Sequence, residues 1–263
     1  MKAYCLASSS SGNCYILEFE VDGIPTRIMV ECGIPLKEIY KRSSEYGIDL
    51  STIKCCLVTH AHGDHSKAAK DMIRLGIPLF AHKDTLSLLN LKGKELVELK
   101  PIGVCEGIKV MAFSVEHDIS GAVGFVIKTK NECVMFINDH KRWTANLSNF
   151  KPDYIFIECN YDHTVVYAQV YELKKLKKNV VSDSLEAKDI NSRLAQHERN
   201  LNAHCSLNGT IKGLNKLNLK NTKCIFLMHL SDRYANEYKM KREVQLSTGV
   251  KTLVCGKLGG GIK

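Results

Sequence analysis

The chain has 263 residues, 44% of them hydrophobic and 25% charged, enough apolar material for one sizeable core; this excludes a disordered chain, a collagen-like repeat and a coiled coil. The 37 Lys+Arg against 28 Asp+Glu leave a formal charge of +9, which favours anionic partners without choosing between nucleic acid and small anionic substrates. No stretch approaches the roughly 18–20 consecutive apolar residues of a membrane span.

The opening MKAYCLASSSSGNCYILEFEV alternates polar and apolar residues and lacks the apolar h-region of a signal peptide, so a cytoplasmic chain with no membrane partner is expected. The eleven cysteines are odd in number, sit in apolar runs and form no CxxC. They read as reduced, mostly buried thiols.

Segments 2–7, 14–21, 26–32 and 54–59 are rich in Val, Ile, Tyr and Cys, broken by SSSSGN, by VDG and by a GIPLK loop; they predict strands. A short helix is predicted over 66–75, stopped by Gly76 and Pro78. Strands resume near 79–81, 95–99, 108–116, 122–129, 133–138 and 154–159, with Lys130-Asn131 as a hairpin turn. Helical patterning then covers 166–178, 186–203 and 206–217, followed by a strand at 223–230, a charged helix at 232–246 and a last strand at 250–255. Residues 256–261 read as a loop or terminal extension. Strands followed by helices, twice over and without a linker or repeat, predict a single α/β domain over 1–263, with helices outside two sheets.

Directly after the apolar CCLV comes Thr59-His60-Ala61-His62-Gly63-Asp64-His65. His and Asp avoid burial unless paired or ligating, and imidazole with carboxylate is the donor set that Zn²⁺, Mn²⁺ or Fe²⁺ prefers. Three later apolar runs also end on such residues: His117 in FSVEHD, Asp139 in VMFIND and His229 in CIFLMHLS.

The HxHxDH pattern and the order of these strand-end residues resemble the metallo-β-lactamase fold hydrolases. Within that family CLASSSSGNCYIL, VEHDISGAVGF, IECNYD, NAHCSLN and MHLSDRYANE resemble segments of the YycJ/WalJ-like branch, which is similar to bacterial DNA exonucleases. The resemblance implies an αββα four-layer sandwich and two divalent metal ions, zinc or manganese, with iron also acceptable. His60, His62 and His117 would hold one ion, Asp64, His65 and His229 the other, with Asp139 bridging. Two ions about 3.5–4 Å apart would activate a bridging hydroxide, which Asp64 would help orient, and His204 would protonate the leaving group.

Ser8 to Asn13 form either an ordinary Ser/Gly turn or an anion nest in which Ser10, Ser11 and Asn13 contact a phosphate. Asn160 and Asp162 would line the same rim, with Glu158 structural. Two departures from the family pattern stand out: Glu31 occupies the place of the usual Asp, and Asn138-Asp139-His140-Lys141 replaces a Thr-Asp-x-Gly. The region 164–200 also carries less of the family's Gly/Pro pattern. Lys174, Lys175, Lys177 and Lys178 form either a solvated face or a phosphate track. Trp143 either stacks a base or seals a loop. His82, His163 and His197 are expected to be non-ligands, and His140 is open.

These readings converge on a dinuclear phosphodiester hydrolase, foremost a DNA exonuclease. The alternatives are a phosphodiesterase acting on small molecules such as cyclic nucleotides, and an inactive nucleic-acid-binding relative. Oligomeric state is not legible.

Overall fold

The computed structural model describes residues 1–182 and 184–257, and the backbone of 260–262. Three antiparallel strands open the chain: β1 (Lys2–Ser9), β2 (Gly12–Val21) and β3 (Ile24–Cys32). Helix α1 (Leu36–Glu45) leads to β4 (Ile53–Leu57), the short helices α2 (Gly63–Ser66) and α3 (Ala69–Arg74), β5 (Leu79–Ala81), α4 (Lys83–Leu88) and β6 (Lys94–Glu95). Strands β7 (Ile102–Cys105), β8 (Ile108–Glu116), β9 (Val123–Lys128), β10 (Cys133–Ile137), β11 (Arg142–Trp143) and β12 (Tyr154–Glu158) follow. Helices α5 (His163–Lys177), α6 (Leu185–Ala203) and α7 (Leu207–Leu214) precede β13 (Cys224–Met228), α8 (Glu237–Thr248), β14 (Thr252–Val254) and β15 (Gly260–Ile262).

Among the described residues these strands make two sheets. One runs β15-β1-β2-β3-β4-β5-β6; the other runs β11-β8-β9-β10-β12-β13-β14, with β7 added beside β8. Both faces of each sheet are covered, so the central strands read as unbroken apolar runs and not as alternation. Strand β10 shows the consequence of the two-residue period. Val134 and Phe136 enter the core between the sheets, while Met135 and Ile137 enter a separate core on the sheet's outer face, which includes Leu207 and Leu214 of α7 and Met240 and Val244 of α8. A matching outer core, with Ile39 of α1, Met72 of α3 and Leu86 of α4, backs the first sheet. The inter-sheet core is held by an aromatic row: Tyr15 meets Phe136 edge-on at 5.3 Å, and Phe156 stacks on Phe226 at 4.4 Å. The result is the expected αββα sandwich.

Some elements differ from expectation. Helix α1, which buries Ile39 and Ser43, is an element absent from the sequence expectations. The helix expected over 66–75 is split into α2 and α3, and it ends as expected at Gly76, whose φ is 75°. Helix α4 is capped by His82, whose ring accepts from the Asp84 amide; this is a non-ligand role. The expected loop at 256–261 instead ends in β15, paired antiparallel to β1, which covers a sheet edge. No described helix is long and apolar enough to cross a membrane.

Candidate metal centre

The carboxyl ends of β3, β4, β8, β10, β12 and β13 meet along one edge of the sandwich, and each delivers a polar residue there. Three of these residues, Glu31, Asp139 and His229, sit directly after or at the end of a strand with positive φ (61°, 23° and 53°). That backbone region costs an ordinary L-residue about 1–3 kcal/mol and concentrates at functional sites. Here it turns the chain sharply near the strand end; Asp139 and His229 thereby meet His65 and Asp64 of the other sheet, and Glu31 meets Thr59 and His65 of its own.

The seven expected ligands come together in two groups. His60, His62 and His117 form the first, and Asp64, His65, Asp139 and His229 the second, the donor atoms within each lying inside 4.8 Å of one another. His62 Nδ1 lies 3.1 Å from His60 Nε2 and 3.2 Å from His117 Nε2. Asp64 Oδ2 lies 3.3 Å from His65 Nε2 and 3.5 Å from His229 Nε2. Asp139 connects the groups: Oδ2 is 3.3 Å from His65 Nε2 and 3.9 Å from His117 Nε2, while Oδ1 is 3.4 Å from His229 Nδ1.

Burial lowers the pKa of His60 and of His62, reinforced by the neighbouring His65 and His117 respectively, leaving neutral imidazoles with free lone pairs. The second group is strongly polarised. Burial opposes charge on Asp139, but His229 and His65 outweigh it and hold the carboxylate well below its usual range. Burial likewise opposes charge on His229, yet Asp139, Asp64 and Glu158 push it up to about 10. Asp139 Oδ1 and His229 Nε2 are both buried without a hydrogen bond. Buried polar atoms of native proteins are ordinarily satisfied, and neutral imidazoles beside clustered carboxylates are the donor set of a divalent ion. The residues fit the implied metals.

Supporting contacts orient these donors, as metal sites require. Glu31 is fully buried; its carboxylate accepts from the Thr59 hydroxyl and amide and faces His65 Nδ1 at 3.3 Å. The longer side chain thus reaches the motif from its position at the end of β3. In the loop after Asp139, which lacks the usual Gly, the His140 amide donates to Glu158 Oε2 at 2.8 Å and the Lys141 amide to the Glu116 carbonyl at 2.7 Å.

His204 sits beside the second group, with Nδ1 2.6 Å from Glu158 Oε1 and 3.7 Å from Asp139 Oδ2. Burial opposes its charge, but Glu158 outweighs burial and raises its pKa. Glu158, expected to be structural, is a member of the site: Oε1 also lies 3.3 Å from His229 Nδ1, and Oε2 accepts from the Cys205 amide. Its signal was an acid closing the apolar strand YIFIE, the same strand-end pattern that marked Asp139.

Two expected substrate contacts, Asn13 and Asn160, are buried side chains. Asn13 is fully buried; its amide donates to the carbonyls of Ser9 and Asp64 and lies 3.2 Å from His65 Nε2. Asn160, 3% exposed, donates to the His229 carbonyl at 2.8 Å and lies 3.1 Å from its Nδ1. Both direct their amides at residues of the two donor groups, Asp64 and His65 for Asn13 and His229 for Asn160. Ser10 and Ser11 are exposed at the β1–β2 turn, where the Ser11 hydroxyl pairs with that of Ser9. Asp162 caps α5 and pairs with Lys239, so it is not on the rim. His140 and Trp143 lie outside the metal groups, with Trp143 packed on Gly213 of α7. His163 and His197 also lie outside the groups.

No protein-family model matches the chain, and no curated protein matches it. Solved structures do. The metallo-β-lactamase fold protein YhfI from Bacillus subtilis superposes with a TM-score of 0.70 at 11% identity, covering 100% of this chain and 99% of that one. A diphosphatase from the PhnP family gives 0.62 at 14% identity, covering 100% and 98%. The short form of human tRNase Z gives 0.59 at 14% identity, covering 89% and 94%. The chain therefore has the metallo-β-lactamase fold.

Proposed function

We propose that the protein is a metal-dependent phosphodiester hydrolase of one domain, and that its substrate is DNA cut from strand ends, in keeping with the YycJ-like strings. The observation that carries the reading is the convergence of two donor groups on the shared Asp139, flanked by the Glu158–His204 pair. His60, His62 and His117 hold one ion; Asp64, His65 and His229 hold the other. Two divalent ions in these places supply positive charge to phosphoryl oxygens and make water nucleophilic near neutral pH.

The chain's own groups do the rest. Asp64, whose side chain remains 24% exposed, orients the attacking water. Glu158 Oε1 accepts the Nδ1 proton of His204, which leaves Nε2 to carry the proton given to the departing oxygen. Ser10 and Ser11 offer exposed hydroxyls to a terminal phosphate. The exposed lysines 174, 175, 177 and 178 close an α5 of 15 residues, about 20 Å from the helix start, and extend a phosphate track outward. The likeness to a diphosphatase favours one second reading, a hydrolase of small phosphate esters.

The test is incubation of Mn²⁺-loaded protein with end-labelled single-stranded DNA, with Asp64→Ala alongside. Progressive shortening that Asp64→Ala lacks is the expected result. Intact DNA with loaded wild-type protein overturns the nuclease reading and directs assays to cyclic nucleotides and diphosphates.

A further inference from the structure

A second cavity, of about 190 Å³, opens between α7 and the chain following β10, and shares no lining residue with either metal group. Lys141 and Arg142 line it from the β11 side, Lys212 from α7 and Lys216 from just beyond the C-terminal end of that helix. Of the four, Arg142 has a carboxylate partner, Glu116 at 2.7 Å. Lys141 reaches only the neutral amide of Asn202, and no ion pair engages Lys212 or Lys216 among the described residues.

Gly209 and Gly213 of α7 also line it. A Cβ on Gly213 would lie 2.4 Å from the Trp143 ring, so the indole packs where only glycine permits it. Lining the cavity as well is His140. Its ring is fully buried, and neither ring nitrogen has a hydrogen-bond partner; the nearest acid, Glu158 Oε2, lies 3.6 Å from Nδ1. Buried polar atoms are ordinarily paired, and these two ring nitrogens beside the cavity are not.

We propose that this cavity is a phosphate-binding site, separate from the metal centre, that takes the phosphate of a nucleotide or the phosphorylated end of a nucleic-acid strand. Four cations around one small opening select an anion of high charge density, and guanidinium and ammonium groups are the side chains suited to phosphate. The volume falls below the roughly 300–1,000 Å³ of whole-ligand pockets, so one end of a ligand enters. An indole and two glycines provide apolar surface beside the phosphate, suited to the sugar or base attached to it.

Trp143 is the chain's only tryptophan, so its fluorescence reports this cavity. The protein as purified is titrated with inorganic phosphate, read by fluorescence and by calorimetry, beside Lys212→Glu/Lys216→Glu. Both lysines are exposed, and the variant's melting temperature and metal content serve as controls. A saturable fluorescence change, weakened tenfold or more in the double variant, is expected. Binding by neither method, or binding of equal affinity in the variant, overturns the proposal, the latter because it places phosphate at the metal centre alone. Deoxyadenosine monophosphate, and hexathymidylate with and without a 5′-phosphate, then distinguish the two sources: a gain with the mononucleotide identifies a free nucleotide, and a gain with the phosphorylated strand over the unphosphorylated one identifies a strand end.

Discussion

Replacing Gly33 by alanine places a methyl group where the structure has backbone. An ideal Cβ at Gly33 would lie 1.6 Å from the Asp64 carbonyl oxygen and 2.6 Å from the His65 amide nitrogen, whereas ordinary contact begins at 3.4 Å. The two segments must therefore part by about 1.8 Å. Neither yields easily: the Gly33 amide is bonded to the Asn13 carbonyl, and the preceding Cys32 carbonyl to the Ala68 amide. The displaced segment carries Asp64 and His65. A misplacement of about 1 Å can cost a site roughly 100-fold, and overpacking destabilises by about 1–3 kcal/mol. The Gly33→Ala protein is expected to lose the ion held by Asp64, His65 and His229, to keep the ion at His60, His62 and His117, and to lose at least about 100-fold in kcat/KM. Equilibrium dialysis with metal analysis gives the stoichiometry, and calorimetric scanning the stability. Gly63→Ala is the control, because a Cβ there meets nothing within 4 Å, although Gly63 lies inside the histidine motif. Two ions per chain and a normal rate in Gly33→Ala, or equal damage from Gly63→Ala, would refute the steric argument.

Glu31→Gln keeps the shape but removes the charge facing His65 Nδ1. It is expected to weaken the ion on that side about 10–100-fold, measured by competition with a chromophoric chelator. Glu158→Gln removes the carboxylate that holds His204; kcat should fall by about 10²–10⁴, and a rise in KM with kcat unchanged would contradict the assignment. Asp162 caps α5 and pairs with Lys239. Burial opposes its charge, but the bonds from Lys239 and Thr164 outweigh it and lower its pKa from 3.8. A lowered folded value means stability fully present above the unfolded value and lost as pH falls through the folded one. Asp162→Ala should thus cost about 1 kcal/mol near pH 7, with a gap to wild type that starts to narrow only below the ordinary value of 3.8 and closes once pH passes the lowered folded value; denaturant titrations at neutral pH and down through the acid range check this.

What could be read from the sequence followed from how each residue is constrained. His60, His62, Asp64 and His65 stand out because a dense run of ligating side chains has no packing explanation, and His117, Asp139 and His229 because a polar residue ending an apolar strand has to face something. Glu158 obeys the same rule but is flanked by cysteine and isoleucine in a fully buried strand, where an acid reads as structural. Asn13 and Asn160 were recognisable as important but not as buried: an amide's role depends on which neighbours consume its hydrogen bonds, and those come from chain segments 51 and 69 residues away. The cavity beside Trp143 was illegible for the same reason, since Lys141 and Lys212 meet only after the second sheet has folded.

The centre is assembled across a seam. Glu31, His60, His62, Asp64 and His65 ride on the first sheet and its following loop, while His117, Asp139, Glu158 and His229 ride on the second. Even without an ion the halves touch there: the His229 amide of one donates to the Ser8 hydroxyl of the other. Cations bound at such a seam act as rivets between two halves, and their binding energy becomes mechanical cohesion of the whole sandwich. At a free ion concentration 1,000 times the dissociation constant the gain is about 4 kcal/mol, comparable with the entire stability of a marginal domain. Metal supply would then govern how long the molecule survives as well as how fast it works, and a starved population would be thinned first by proteases that attack sandwiches whose sheets have come apart.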